Sequence, residues 1–406
     1  MDREPAGSIN RMAQAHAPLR SNEGMPRGMR PSGCSTVQPI TSVRRGFTML
    51  RFLSKLFVVW LFVSVPLRAQ QCAWQAYASN PIIKYRDGVS NLVWNDAAVL
   101  KDGSQYRMWL AGGDPTFSNP VVKVYEAASV DDVNWTINPT PQVSPTGNPK
   151  AWDSHRIETP NVIKVGTTYH MYYSGCTGSC SGQYSIGHAT SKDGKKWTKD
   201  RNNPIIAFTN DPAHWGYFTA GEPAPVYDPV SDTIFLYYST VKRRVGYSGP
   251  NPDNLGWMQG IALATSRNGS TFQHYDPDGD GFRDAVLVQS DAYPVTSNYV
   301  GYSAPNAFID SSRVFHLYYD VAQYPSPGDW RQVALAAATS PNGFNFTETQ
   351  TNLATNGGTS WHSWEVRSPH VIQDGNLFKA WFAGHSGLND WTTAGIGYAS
   401  TPFCVQ

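Results

Sequence analysis

The chain has 406 residues, with 32 Lys+Arg against 31 Asp+Glu, a formal net charge of +1 and 13% aromatic residues. The balance is uneven: residues 1–69 carry 10 basic and 3 acidic side chains, which leaves 22 against 28, a net charge of −6, for the rest. An acidic body without basic runs excludes nucleic acid as its partner, because phosphate backbones are held by clustered Lys and Arg.

Residues 1–48 are rich in Arg, Gly, Pro and Ser, lack apolar periodicity, and read as a disordered or mis-started leader. From Met49, Arg51 and Lys55 precede the apolar run LFVVWLFVSV, and Ala69 closes a small cleavage-like region. Residues 49–69 thus read as a secretory signal, and 70–406 as a secreted or periplasmic domain. The apolar run falls short of the ~20 residues that a membrane span needs, and no later stretch approaches that length. The cysteines agree with export. Cys34 falls in the leader, the spacing of Cys176 and Cys180 around TGS would let them close a small loop, and a Cys72–Cys404 disulfide is expected to staple the ends of the mature chain, the alternative being free or differently paired thiols.

The stretch Trp152–Trp197 reads as one four-stranded meander: TPNVI, YHMYYSG, YSIGHATS, then the turn SKDGKKW into a fourth strand. Its parts recur. The second-strand cores YRMWLAGG, YHMYYSG, IFLYYST, FHLYYDVA and FKAWFAGH place Met108, Met171, Leu236, Leu317 and Ala380 at intervals of 63, 65, 81 and 63. The turns EAASVDDVNW, HATSKDGKKW, LATSRNGSTF and AATSPNGFNF recur in step, and Trp152–Pro160, Trp215–Pro223 and Trp361–Pro369 share a spacing of eight. Five such units of about 65 residues predict an all-β fold, a five-bladed β-propeller of four-stranded antiparallel blades. Trp135, Trp197, Phe272 and Phe346 are then core plugs, and Asp193, Asn268 and Asn342 form turns.

The long interval holds an insertion, HYDPDGDGFRDAV. Asp276, Asp278, Asp280 and Asp284 offer hard oxygen donors at i, i+2, i+4 and i+8, which predicts a structural Ca2+ loop. No organic cofactor motif accompanies it.

The start of each first strand faces the predicted central channel, and polar residues that break the repeat there are the candidate site. They are Asn95-Asp96, Glu158-Thr159, Gly221-Glu222, Ser303-Ala304 and Arg367-Ser368. Three carboxylates from three consecutive units converge, with one Arg opposite. Buried acids are costly unless paired or used.

With Asp96 opening the first unit, IETPNVIK before YHMYYSG in the second and GEPAPVYD in the third, the chain resembles the five-bladed propeller glycosidases of families 43 and 32. The resemblance covers nearly all of 75–403. It implies a secreted glycoside hydrolase with Asp96 as base or nucleophile, Glu222 as general acid and Glu158 as an orienting, pKa-raising neighbour. The roles of Glu158 and Glu222 are exchangeable on this reading. The implied substrate is an arabinan-, xylan- or fructan-like carbohydrate, the implied stereochemistry is inversion, and the expected state is a monomer. His385 resembles the channel His of some family 43 enzymes.

Trp152, Trp215 and Trp361 read equally as a sugar-stacking rim or as wedges in the blades. His155, Arg156, Arg367 and His370 flank the same strand starts and are candidates for binding hydroxyls or a carboxylate. The alternatives are a non-catalytic carbohydrate- or protein-binding propeller, a sialidase, or a glycoside phosphorylase.

Overall fold

The computed structural model describes residues 73–402, apart from 179, 181, 244–255, 290–298, 327–328, 350–351, 358–359 and 388–389. The expected leader, the signal segment and the Cys72–Cys404 staple lie outside the described residues. Those residues are all-β, with one 3-10 turn at Trp391–Thr393.

Two short strands, β1 (Gln75–Ala76) and β2 (Ile83–Lys84), come first in the chain but pair with its last strand. Next, β3 (Val93–Asp102), β4 (Gln105–Gly113), β5 (Lys123–Ser129) and β6 (Thr136–Ile137) form an antiparallel sheet in that order. The predicted 152–197 meander appears as β7 (Arg156–Val165), β8 (Thr168–Cys176), β9 (Ser185–Ser191) and β10 (Thr198–Lys199).

A larger sheet follows, made of two antiparallel runs. The first holds β11 (Ala220–Asp228), β12 (Thr233–Arg243) and β13 (Trp257–Ser266), edged by β14 (Gln273–His274) and β15 (Ala285–Val288). The second holds β16 (Tyr299–Ile309), β17 (Phe315–Ser326) and β18 (Asp329–Ser340), edged by β19 (Thr347–Glu348) and β20 (Ala354–Thr355). A single parallel pairing, Gln259 with Gly301, joins the two runs. The last sheet is β21 (Glu365–Asp374), β22 (Leu377–His385) and β23 (Gly395–Pro402), completed by β1 and β2.

The strands β3, β7, β11, β16 and β21 pack side by side in that order, and β21 packs back on β3, so these five close a ring. Apolar clusters fill the space between neighbouring sheets. One joins Tyr237, Leu263, Tyr302 and Leu317, and another joins Trp94, Met108, Trp381 and Ile396. Strands sandwiched in this way are buried on both faces, which explains why YHMYYSG and FKAWFAGH carry large apolar residues without strict alternation.

The turns obey their sequence signal. Ser191 Oγ accepts from the Gly194 N–H at 2.8 Å, and Asp193 Oδ1 accepts from Lys195 and Lys196 N–H groups at 2.8 Å each. Ser266 with Asn268 and Ser340 with Asn342 repeat the arrangement. Trp135, Trp197, Phe272 and Phe346 pack into the adjacent cores as expected. Second-strand side chains then tie each such turn to the preceding sheet. Arg107 Nη1 donates to Asp193 O at 3.0 Å, Tyr172 to Gly269 O at 2.9 Å, Tyr237 to Gly343 O at 2.7 Å and Trp381 Nε1 to Asp132 O at 3.1 Å.

Tyr237 is fully buried, so Tyr237→Phe leaves the Gly343 carbonyl unpaired in a dry interior. The expected loss is about 1–3 kcal/mol in urea unfolding, against near-neutrality if this tie contributes nothing.

Candidate active site

Each strand of the ring breaks register at the same place. The pairing shifts between Asn95 and Ala98, Glu158 and Asn161, Gly221 and Ala224, Ser303 and Asn306, and Arg367 and His370. Inside each break one residue adopts a left-handed backbone: Asp96 (φ 52°), Thr159 (49°), Glu222 (52°), Ala304 (43°) and Ser368 (50°). Proline follows in four of the five, at Pro160, Pro223, Pro305 and Pro369, and Ala97 follows in the first. These pairs, with Asn161 and His370, line one small cavity.

Asp96 and Glu222 are thus equivalent residues facing the same space. Glu158 is not their counterpart: it sits one residue upstream of the left-handed position, which in β7 belongs to Thr159. A dipeptide at a bulge does not reveal by sequence which member turns inward.

The neighbouring strand holds each acid. Ser368 Oγ donates to Asp96 Oδ1 at 2.7 Å, and Arg367 Nη2 lies 3.7 Å from the same oxygen. Glu222 Oε2 accepts from the Ala304 N–H at 2.8 Å. Three left-handed N–H groups are capped from the preceding sheet: Glu222 by Ser174 Oγ at 2.7 Å, Ala304 by Ser239 Oγ at 2.8 Å and Ser368 by Asp320 Oδ1 at 2.8 Å.

Two further carboxyls belong to the site, and the sequence reading passed over both. Asp320 is fully buried, with Oδ2 unpartnered among the described residues. Glu365 is held by His385 Nε2 at 2.7 Å and faces Arg367 Nη1 at 3.8 Å. Aligning YYS, YYS and YYD of β8, β12 and β17 would have flagged Asp320 as the carboxyl among serines.

Burial dominates the electrostatics. It pushes the Glu158 carboxyl up to about 7, with Arg156 opposing and Asp96 reinforcing. It also raises Glu222, against a bond from Ser239 and the charge of Arg367, and it raises Asp320 well above the usual carboxylate range with the help of Glu222. Burial works in the same direction on Glu365, but the His385 bond and Arg367 outweigh it and hold that carboxyl low. Burial opposes the charge of Arg367, and Asp96, Glu365, Asp320 and Glu222 together sustain it.

The other candidates divide. His370 lines the cavity, but Nε2 bonds Val99 O at 2.8 Å and Nδ1 bonds Asn306 Nδ2 at 3.1 Å, so both ring nitrogens are in use. His155 and Arg156 both bond Asn119. Of the two readings of Trp152, Trp215 and Trp361, rim or wedge, the packing is that of wedges. Trp152 stacks on Tyr173 over Gly175 and Gly187, Trp361 on Phe382 over Gly384 and Gly397, and Trp215 is buried against Gly260. Each glycine lacks room for a Cβ beneath the indole, so the three rings are wedges within the sheets.

Away from the cavity, Asp276, Asp278 and Asp284 bring carboxylate oxygens within 4.8 Å of one another. Asp280 stands outside that group, and its carboxylate accepts from the Phe282 N–H. Cys176 and Cys180 form a disulfide.

No family model and no curated protein matches the chain. Solved structures do resemble it. A glycoside hydrolase-like protein from Parabacteroides distasonis ATCC 8503 has 14% identity and a TM-score of 0.58, covering 81% of this chain and 96% of that one. A structure described under the GH130 mannoside phosphorylases, a family containing hydrolases that target β-1,2 mannosidic linkages in Candida mannan, has 14% identity and a TM-score of 0.59, covering 81% and 93%. A β-1,2-mannobiose phosphorylase from Listeria innocua has 12% identity and a TM-score of 0.56, covering 81% and 97%. At such identity the likeness establishes a shared fold.

Glu158 binds its proton more tightly folded than unfolded, from the ordinary 4.5 up to about 7. Its contribution to stability is full below about 4.5 and is lost as pH rises towards 7. Glu158→Gln is therefore expected to flatten the fall in urea midpoint across that window; an unchanged slope would show that Glu158 does not titrate there.

Proposed function

We propose that the protein is a carbohydrate-active enzyme, a glycoside hydrolase built on a five-bladed β-propeller, with its acid–base pair in the ring cavity. The ring of five inner strands and the completion of the last sheet by β1 support the propeller. The carrying observation for the chemistry is that Asp96 and Glu222 occupy equivalent left-handed positions on one cavity. Asp96 accepts from the Ser368 hydroxyl at 2.7 Å and lies 3.7 Å from Arg367. Glu222 is desolvated and raised, an environment for a protonated acid.

Glycoside cleavage uses this pairing: Glu222 protonates the leaving oxygen, and Asp96 takes a proton from the attacking water, which gives inversion. Glu158 is a third carboxyl coupled to Asp96. The proposed substrate is an oligo- or polysaccharide met outside the cytoplasm, and the Asp276–Asp278–Asp284 cluster is proposed to take a structural Ca2+.

Arg367, the guanidinium among the acids, is already shared by Asp96, Glu365, Asp320 and Glu222, which leaves it less available to an inorganic phosphate. The fold shared with mannoside phosphorylases makes inorganic phosphate a required arm of the assay.

Purified protein is to be assayed on aryl-glycosides, β-1,2-mannosides, arabinan and xylan, with and without phosphate. Turnover is expected without phosphate, and Asp96→Asn and Glu222→Gln are each expected to lower kcat by roughly 10²–10⁴-fold. Turnover only with phosphate would make the enzyme a phosphorylase; sugar binding without turnover would make it a binding module. Ca2+ is expected to raise the thermal midpoint of wild type but not of Asp276→Asn, as read by differential scanning fluorimetry.

A further inference from the structure

Arg156 is an anomaly among the charges near the cavity. It is 3% exposed, and no ion pair reaches its guanidinium among the described residues. Nη2 donates to Asn119 Oδ1 at 2.7 Å, while Nε and Nη1 have no hydrogen-bond partner among the described residues. Glu158 lies two residues further along β7, on the same face of the strand, and is itself buried. A buried guanidinium beside a buried carboxyl would ordinarily close on it, since low dielectric strengthens their attraction, yet no ion pair joins the two among the described residues. Something holds the two apart.

Asn119 is in the connection between β4 and β5, and it reaches across to the neighbouring sheet with three groups. Its Oδ1 takes Arg156, its backbone oxygen lies 3.2 Å from His155 Nε2, and its Nδ2 donates to Gly178 O at 2.6 Å. Gly178 sits inside the loop closed by the Cys176–Cys180 disulfide, whose Cα atoms are 5.4 Å apart. The disulfide also packs against Tyr184, and the phenol of Tyr184 interacts with both Glu158 and Arg156. One small covalent loop therefore supports Arg156 through Asn119 and Glu158 through Tyr184.

We infer that the Cys176–Cys180 loop and Asn119 form a clamp that holds Arg156 short of an ion pair with Glu158, making the acid set of the site sensitive to the redox state of that disulfide. Asn119 is a positioning residue: it acts on Glu158 only through Arg156. The groups facing Glu158 are Arg156 on its own strand, Asp96 on β3, Tyr184 ahead of β9 and Arg367 on β21. With the clamp intact, Glu158 keeps a proton into the neutral range. With the clamp released, Arg156 is free to swing onto Glu158 and pairs with it. The inference rests on the proposed function only in taking Glu158 as part of the site.

The test is a 13C carboxyl NMR titration of Glu158, assigned by its disappearance in Glu158→Gln, on protein without substrate. In oxidised wild type the midpoint is expected at about 7. In Asn119→Ala, and in wild type reduced with a phosphine, it is expected to fall by at least one pH unit. Asn119→Asp gives Arg156 an anionic partner on the loop, and its midpoint is expected at or above that of wild type. Circular dichroism and the thermal midpoint identify which samples retain the fold; reduction of wild type decides the matter should Asn119→Ala fail to fold. A midpoint unchanged in both Asn119→Ala and reduced wild type would overturn the clamp, and so would a rise in either. Because no substrate is used, silence in every glycoside assay would count against the proposed function and leave this result standing.

Discussion

The structure depends on a backbone constraint repeated five times. At one level of the ring, each inner strand gives up a register step and puts a non-glycine residue in the left-handed region. Such residues cost roughly 1–3 kcal/mol each and persist only where their surroundings fix them. Here the surroundings do so. A following proline locks the next φ in four strands, and Ser174, Ser239 and Asp320 take the exposed N–H of three of the left-handed residues. The reward is geometric: a side chain that would lie within a sheet is turned into the central cavity.

Which side chain occupies each position sets the chemistry. Two of the five are acids, two are hydroxyls and one is a methyl, and two of the non-acids hold the acids. Ser368 gives its hydroxyl to Asp96, and Ala304 gives its N–H to Glu222. The surrounding carboxyls then differ by partner rather than by type. Glu365 has His385 and Arg367 and stays ionised, whereas Asp320 and Glu158 have burial and few donors and keep their protons. Arg367 is shared among Asp96, Glu365, Asp320 and Glu222, and Arg156 acts on Glu158.

Much of this was legible in the sequence because it is periodic. Serine with Asp or Asn two residues later, then glycine and an aromatic, is a local signal that the structure reproduces in turn after turn. The acids Asp96 and Glu222 were legible as departures from that period. Three things were not. The Glu158-Thr159 step was ambiguous because strand alternation fails at a bulge. The tryptophans at spacing eight looked available to a sugar, since their glycine partners lie on other strands and only the fold brings them beneath the indoles. Asp320 and Glu365 were hidden because strand cores are read for apolar content, and a lone acid there is easily taken for a surface residue.

The account turns on whether substrate chemistry takes place between Asp96 and Glu222. The most direct measurement is a crystal structure of Glu222→Gln soaked with an oligosaccharide that the wild type cleaves. The account predicts a glycosidic oxygen within about 3 Å of residue 222, and a water held by Asp96 on the opposite face of the sugar ring, with the carboxyl positions roughly 6.5–9.5 Å apart. A sugar bound away from the ring cavity, with Asp96 and residue 222 in contact only with solvent, would contradict it.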